Sequence, residues 1–277
     1  MSFKRHDGRD INEFRPISIQ YDVYGYAHSS LLFELGNTKV LVTVSLQQSV
    51  PLFLKGQRVG WLSAEYAMLP CATQQRSQRE SSAVQRNARS VEISRLIGRC
   101  LRTVVDLQKI GERSIIIDCD VLQADGGTRV SCITAASLAL QVASQRWLSS
   151  GILDQNIFKE GVAAISAGVV SENEVVDLDY NEDKDAEADF NFVMTQSGNL
   201  IEIQGTCEKK PISIEQFDRL KYSALDAIKH IFVECKKVVP PVKTIELSAD
   251  SVKPVHSGGH ANKAGMFSLG NRINKFS

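Results

Sequence analysis

The segment from Asp118 to Arg129 contains residues that could bind an anion. Its last four residues are Gly126, Gly127, Thr128 and Arg129. Glycine permits a positive φ angle and lets the backbone approach a ligand closely. If a helix begins at Thr128, its unpaired N–H groups lie beside a hydroxyl and a guanidinium, which suits a phosphate. A helix start with a flexible lead-in and an ordinary surface arginine explains the same residues, and the pattern of a Walker loop is absent.

A second concentration of positive charge lies between Arg76 and Arg102. Seven arginines fall in this stretch against two acids, Glu80 and Glu92; the arginines are residues 76, 79, 86, 89, 95, 99 and 102. From Ser90 onward the apolar residues recur at helical spacing, and three of the arginines line another face of that helix. Such a stripe is usually a solvated face with salt bridges. Because few acids lie nearby in the sequence, we expect an anionic neighbour: RNA phosphate, free phosphate or another subunit.

The segment from Glu172 to Asp189 is strongly acidic, with nine acids and a single base, Lys184. An acidic run is usually a solvated loop. This one lies between two predicted strands, so some of its carboxylates must lie near a sheet. Asp183 and Asp189 are six residues apart, and carboxylate oxygens are ligands that suit Mg²⁺ or Mn²⁺. The sequence therefore leaves two interpretations of this segment, a metal site on these two aspartates or a solvated loop.

The elements that must position these groups follow from hydrophobic periodicity. Ser114–Val121 is apolar and β-branched, which predicts a buried strand that leads into the glycine turn. Apolar residues at helical spacing after Thr128 predict the helix that follows the turn. Ser213 and Gln216 form a capping-box start for a further helix. The other predicted strands are residues 17–23, 30–35, 39–45, 61–69, 160–170, 190–195 and 200–205.

Composition limits the class of protein. The 277 residues are 43% hydrophobic, enough for one large domain, or one domain plus a tail. Lys and Arg together number 32, as do Asp and Glu, so the whole-chain charge argues against a nucleic-acid binder while the local arginines argue for one. No apolar run is long enough to span a membrane, and the first residues lack the apolar core of a signal peptide. Six scattered cysteines without a Cys-x-x-Cys pair predict a reduced cytoplasmic protein without a zinc site.

The chain changes character at Pro240. Residues 240–277 contain five basic residues, two acids and a middle rich in Gly, His, Ser and Asn. This composition predicts a largely disordered tail that binds RNA or a partner weakly, or that acts only as a linker.

Eight short blocks, in order along the chain, match one known family. They are Arg5–Arg9, Arg15–Ile17, Gly36–Val40, Gly60–Pro70, Glu92–Arg99, Asp118–Arg129, Asp177–Tyr180 and Gln204–Thr206. On these blocks the chain resembles the ribonuclease PH family of phosphate-dependent 3′→5′ exoribonucleases over about residues 4 to 235. The blocks that contain Gly126–Arg129 and Trp61–Tyr66 resemble bacterial members more than archaeal exosome subunits.

The resemblance implies a fold and a set of site residues. The expected fold is an α+β domain of βαβ units with mixed sheets, spanning residues 1–239, and members assemble as a ring, a homohexamer built as a trimer of dimers. Two paired aspartates would form the catalytic and metal centre, four residues would bind phosphate, and an arginine surface would bind RNA. The paired aspartates are Asp183 and Asp189. The phosphate-binding residues are Arg89, Gly127, Thr128 and Arg129, and the RNA-binding arginines are Arg76, Arg79, Arg95 and Arg99.

The resemblance also implies an activity. Inorganic phosphate would be the co-substrate and Mg²⁺ or Mn²⁺ the cofactor, and 3′-terminal nucleotides would be released reversibly as nucleoside diphosphates. We expect the substrates to be RNAs with a free 3′ end, such as tRNA precursors and rRNA. Ala88 and Ser90 depart from the family, which commonly has Gly and Thr on either side of the phosphate-binding arginine.

Two other functions remain open from the sequence. The chain could be a catalytically inactive RNA-binding subunit of a ring with the same fold, although such a protein is expected to lack one of the phosphate-binding or carboxylate residues. It could also be a structural α/β protein in which the arginine-rich helix is only a subunit interface.

Overall fold

The computed structural model describes residues 3–79, 87–238 and 240. Within them the chain forms nine strands, four α-helices and two short 3-10 helices, Leu52–Leu54 and Leu107–Ile110. The strands are β1 (Ile17–Tyr21), β2 (Ser29–Leu35), β3 (Thr38–Gln47), β4 (Trp61–Met68), β5 (Ser114–Gln123), β6 (Val162–Val170), β7 (Asn173–Val176), β8 (Ala188–Thr195) and β9 (Leu200–Cys207). The helices are α1 (Ala88–Thr103), α2 (Thr128–Ser149), α3 (Tyr180–Asp185) and α4 (Ile214–Lys237).

The first sheet has the strand order β1-β2-β3-β5-β4. β1, β2 and β3 form an antiparallel meander, and Gly36 takes a φ of 57° in the tight turn between β2 and β3. β4 and β5 are parallel and are joined through α1, so they form a βαβ unit. Along β5 the apolar side chains point inward and the acids Asp118 and Asp120 lie on the opposite face.

The second sheet is antiparallel, with the order β7-β6-β8-β9. β6 is buried along its whole length because helices cover both faces of the sheet at this strand. The fold is therefore the expected α+β class with mixed sheets. Within the described residues, the parallel pairing is confined to β4 and β5.

α2 forms the layer between the two sheets. It packs against β2 and β3 on one side and β6 on the other, and it is buried nearly all round. Its hydroxyl side chains also complete the hydrogen bonding of the second sheet, since the N–H groups of Val162 and Ala164 donate to Ser137 Oγ at 2.8 Å and Thr134 Oγ1 at 3.0 Å. Small residues on α2 allow this close approach on two sides.

The other long helices complete the layers. α1 packs beside α2 and against β4, with its apolar stripe buried. α4 covers the far face of the second sheet, where the Phe217 and Phe190 rings pack edge to face with centroids 5.4 Å apart. The predicted capping box of α4 is confirmed, because Ser213 and Gln216 each bond the backbone N–H of the other.

The acidic segment from Glu172 to Asp189 is ordered, so the solvated-loop interpretation is wrong. It contains β7, which pairs with β6, and the short helix α3. Asp179 caps α3 and forms a capping box with Glu182, so two of the acids are used as backbone acceptors. Both elements are too short and too polar to produce a clear hydrophobic period.

The cysteines, the possible membrane spans and the tail were also predicted from the sequence. All six cysteines are free thiols, and four of them are buried. No described helix is both long enough and apolar enough to cross a membrane. The predicted tail lies outside the described residues apart from Pro240.

Candidate active site

The glycine turn and the start of α2 form one wall of the site. Gly126 and Gly127 take φ angles of 74° and 65°, and α2 begins at Thr128 as predicted. The Tyr66 hydroxyl donates to Thr128 Oγ1 at 3.1 Å. Because Thr128 accepts this bond, its own hydroxyl hydrogen is left to donate to a ligand. Gly127 is the N-cap of α2 and has no side chain to cap the first N–H groups of the helix, which can therefore also face an anion.

Arg129 projects from the first turn of α2 towards the second sheet. Its Nη1 donates to Gln204 Oε1 at 3.0 Å and lies 3.4 Å from Glu92 Oε1. The Arg129 side chain is 20% exposed, whereas Glu92 is 51% exposed. The partly buried contact with the Gln204 amide therefore fixes the guanidinium more firmly than the exposed ion pair with Glu92.

Arg89 lies in the first turn of α1, which begins one residue earlier at Ala88. Asn87 is the N-cap, and its Oδ1 accepts the Arg89 N–H at 3.0 Å. Alanine is the most favourable residue within a helix, so the family's glycine is not required for this backbone conformation. Arg89 itself is exposed to solvent.

Asp183 on α3 and Asp189 on β8 face these arginines. Burial raises the pKa of the Asp183 carboxyl even though the residue as a whole is exposed, and the charges of Arg89 and Arg129 partly offset this rise. Burial, together with the charge of Asp183, also raises the pKa of the Asp189 carboxyl. The two carboxylates therefore repel each other, and both arginines lie within electrostatic reach of Asp183.

Tyr66 has its phenol within electrostatic reach of the same two arginines. Its buried phenol has a pKa well above the ordinary value because of burial, while the Thr128 hydrogen bond and the charges of Arg89 and Arg129 act in the opposite direction. The two guanidinium groups thus act on the same phenol and on the same carboxylate, Asp183. The structure brings the candidate phosphate residues and the candidate metal residues to one place.

A buried ion pair locks the glycine turn onto the segment that carries α3. Arg15 donates from Nη2 and Nε to the two carboxylate oxygens of Asp177, at 2.7 and 2.8 Å, and also donates to the carbonyl oxygen of Asp125. Asp177 is fully buried and takes a φ of 56°. A Cβ added to Gly126 would lie 2.6 Å from the carbonyl carbon of Asp179, so the two backbones touch directly.

α3 is anchored by a second buried pair. Arg5 donates from Nε and Nη2 to the two carboxylate oxygens of Glu182, at 2.7 and 2.6 Å. His6 Nε2 lies 2.6 Å from Asp179 Oδ2. His6, Asp179 and Glu182 lie close enough together to hold a metal ion, but the Arg5–Glu182 bonds already use one of the carboxylates. These contacts instead position α3, and with it Asp183.

Two family models match the chain. The model of the 3′ exoribonuclease family, domain 1, matches residues 13–144, and the model of domain 2 matches residues 161–222. Ribonuclease PH of Neisseria meningitidis serogroup C is 50% identical over 212 residues, which cover 76% of this chain and 88% of the relative. Ribonuclease PH of serogroup A gives the same values. The chain belongs to the ribonuclease PH family of 3′ exoribonucleases.

Solved structures support the same fold. Rice Rrp46 superposes with a TM-score of 0.68 at 18% identity, covering 84% of this chain and 98% of that chain. The Archaeoglobus fulgidus exosome with RNA bound to its active site gives a TM-score of 0.69 at 21% identity, covering 84% and 92%. Membership of the ribonuclease PH family at 50% identity assigns the chain a phosphorolytic 3′→5′ exoribonuclease activity, which is a nucleotidyltransferase reaction. The inactive scaffold is not favoured.

The arginines that were predicted to bind RNA differ in their surroundings. Arg76, Arg79 and Arg95 are exposed. Arg99 instead forms a two-point ion pair with Glu202 of β9, at 2.9 and 2.5 Å. Arg102 lies over the Trp61 ring at 4.9 Å. The expectation that this helix lacks acidic partners is therefore wrong for Arg99, because its partner lies far away in sequence.

Sequence reasoning missed several residues that this ribonuclease PH fold brings to the site. They are Tyr66, which donates to Thr128; Gln204, which accepts from Arg129; Arg15, which pairs with Asp177; and Glu208, whose charge raises the pKa of both Asp183 and Asp189. The strand alternation of β9 could have indicated that Glu202, Gln204 and Thr206 share a polar face. The contacts themselves join segments that are far apart in the chain.

The raised pKa of Asp189 predicts a pH-dependent gain in stability for the Asp189→Asn variant. A proton on the Asp189 carboxyl is bound more tightly in the folded state than in the unfolded state. The free energy of unfolding therefore decreases as the pH rises from below the pKa of Asp189 in the unfolded state to above its raised pKa in the folded state. The variant should therefore unfold at a higher temperature than the parent at neutral pH, with a smaller difference near pH 3. Thermal unfolding at several pH values would measure this. Asp154→Asn, on an exposed loop, is the control; an equal response of both variants would contradict the account.

Proposed function

We propose that the site described above is where the chain carries out phosphorolysis, with Arg89, Arg129 and Thr128 holding the attacking phosphate. The convergence of both arginine charges on Asp183 and Tyr66 supports this assignment. The Thr128 hydroxyl and the N–H groups at the start of α2 add neutral donors beside the two cations, with Gly127 shaping the backbone. Together these groups would hold one orthophosphate in a fixed orientation.

The reaction requires positioning and charge neutralisation rather than a protein nucleophile. An oxygen of inorganic phosphate forms a bond to the phosphorus of the last phosphodiester, and the bond from that phosphorus to the 3′ oxygen of the preceding nucleotide breaks. The terminal nucleotide leaves as a nucleoside diphosphate, and the 3′ oxygen takes a proton. All the reacting groups are anionic, so the cations of Arg89 and Arg129 lower the repulsion between them.

The carboxylate pair fits a divalent cation. Asp183 and Asp189 are close enough to raise the pKa of Asp189, and Glu208 adds negative charge nearby. Hard oxygen donors with excess negative charge suit Mg²⁺ or Mn²⁺ held by Asp183 and Asp189. When bound, such an ion would stabilise the charge that develops on the departing 3′ oxygen. Asp189 could instead act as a general acid that protonates the departing 3′ oxygen, because its raised pKa suits a group that donates a proton.

The exposed arginines provide a path for the RNA backbone. Arg76, Arg79 and Arg95 are exposed, and Arg99 keeps a side chain that is 54% exposed beside Glu202. Contacts of this kind bind phosphates without reading the base sequence. The substrates would then be defined by an accessible 3′ end, as in tRNA precursors and rRNA.

A ring of identical subunits is the assembly that fits this site. The structural neighbours include an archaeal exosome core, and the family resemblance supports a homohexamer arranged as a trimer of dimers. Repetition of the arginine surface around a ring would guide single-stranded RNA to each site. A soluble cytoplasmic enzyme fits this RNA-processing function.

We predict that Arg89→Ala lowers kcat/KM for phosphate by about 10²-fold, because one charged donor to the reacting phosphate is lost. The assay supplies RNA with a free 3′ end, with and without phosphate, and identifies the released nucleotide. The parent should release nucleoside diphosphates only when phosphate is present. Arg219→Ala, which removes an exposed helix arginine on α4, is the control. Full activity of Arg89→Ala, or release of monophosphates by the parent, would refute the proposal.

We predict that Asp183→Asn and Asp189→Asn each weaken Mn²⁺ binding by at least about tenfold. Electron paramagnetic resonance of free Mn²⁺ measures binding without reliance on activity. Asp226→Asn on α4 removes an exposed carboxylate elsewhere and should leave the affinity unchanged. If both site variants bind Mn²⁺ as the parent does, the ion is not held by these aspartates.

A further inference from the structure

The strand β9 presents a row of polar side chains to the site. Successive residues of a strand point to opposite faces, so Glu202, Gln204 and Thr206 share one face. Ile201 and Ile203 occupy the other face and pack on the hydrophobic core. The polar face is directed towards α1 and α2, since its residues contact arginines on both helices.

Gln204 stands between two charged groups of opposite sign. Its Oε1 accepts from Arg129 Nη1 at 3.0 Å, and its Nε2 donates to Glu202 Oε1 at 3.2 Å. Only one orientation of the amide satisfies both neighbours, because the guanidinium can only donate and the carboxylate can only accept. Glu202 thus fixes the amide orientation, and the amide fixes Arg129.

The neutrality of Gln204 matters for an arginine that must bind phosphate. A carboxylate at this position would hold Arg129 more tightly, but it would also neutralise the guanidinium and compete with an anionic ligand. An amide orients the side chain and leaves its charge available. The carboxylate of Glu202 is instead paired with Arg99, at 2.9 and 2.5 Å.

We propose that Gln204 is a positioning residue that orients Arg129 for inorganic phosphate without cancelling its charge, and that Glu202 supports it by fixing the amide. This inference rests on the proposed function, because it takes Arg129 as a phosphate ligand. It adds that the affinity of the site for phosphate is set partly by a residue of β9, through its contact with Arg129 of α2. Glu202 then pairs directly with Arg99 and helps to orient Arg129 through its hydrogen bond to the Gln204 amide.

The test compares Gln204→Glu, Gln204→Leu and Glu202→Gln with the parent. Gln204→Glu keeps the size and the hydrogen bond to Arg129, but it adds a negative charge and loses the Nε2 donor to Glu202. Gln204→Leu keeps the approximate volume and removes both hydrogen bonds. Isothermal titration with inorganic phosphate gives binding directly, and steady-state kinetics give KM for phosphate and for RNA separately. Gln196→Leu, which changes an exposed glutamine at the far end of β8, is the control.

We expect Gln204→Glu and Gln204→Leu each to weaken phosphate binding by about tenfold. In Gln204→Glu the new carboxylate offsets the charge of Arg129, and in Gln204→Leu the hydrogen bond that orients the guanidinium is lost. KM for phosphate should rise while KM for RNA changes little, and Glu202→Gln should weaken phosphate binding less than either. A merely structural role predicts that Gln204→Leu, which keeps the approximate volume, binds phosphate as well as the parent. That result would overturn the proposal, and so would unchanged phosphate binding by Gln204→Glu if Gln204→Leu were unstable.

Arg129→Ala in the same assays separates this inference from the proposed function. If Arg129→Ala loses phosphate binding and the Gln204 variants do not, the role of Gln204 is wrong while the phosphate site stands. If Arg129→Ala binds phosphate normally, the assignment of Arg129 itself is wrong, and the inference about Gln204 falls with it.

Discussion

The structure depends on bringing like and unlike charges from four separate elements into one small volume. Arg89 lies in the first turn of α1, Arg129 lies in the first turn of α2, Asp183 lies on α3 and Asp189 is the second residue of β8. None of these elements could hold such a concentration of charge alone, because carboxylates near one another raise each other's pKa and arginines near one another repel. The charges of Arg89 and Arg129 partly offset the carboxylate charge at Asp183. This is the place where we propose that a phosphate and a divalent cation bind.

The framework for this arrangement is the layer of α1 and α2 between two sheets. Helix starts and strand ends meet along one edge, and direct backbone contact at Gly126 leaves little freedom between the glycine turn and the segment before α3. Arg15 and Asp177 fix that contact by a buried two-point ion pair. A pair of this kind contributes little net stability but strongly defines one geometry. It ties the expected phosphate residues to the expected metal residues.

Local patterns in the sequence predicted the elements with strong periodicity. The strand before the glycine turn, the helix after it and the capping box of α4 lie where they were expected. α3 and β7 were missed because they span only six and four residues, too few to show a hydrophobic period, and half of the α3 residues are acids. The roles of Tyr66, Gln204 and Arg15 could not be predicted in this way, because each depends on a contact across the folded chain.

The central claim is that Arg89 and Arg129 bind one phosphate together. A double-mutant cycle with Arg89→Ala, Arg129→Ala and the double variant, followed by titration with inorganic phosphate, measures this most directly. If one phosphate contacts both side chains, the two losses in binding free energy should be coupled, and their sum should differ from the loss in the double variant. Independent, additive losses, or phosphate binding that survives in the double variant, would contradict the account.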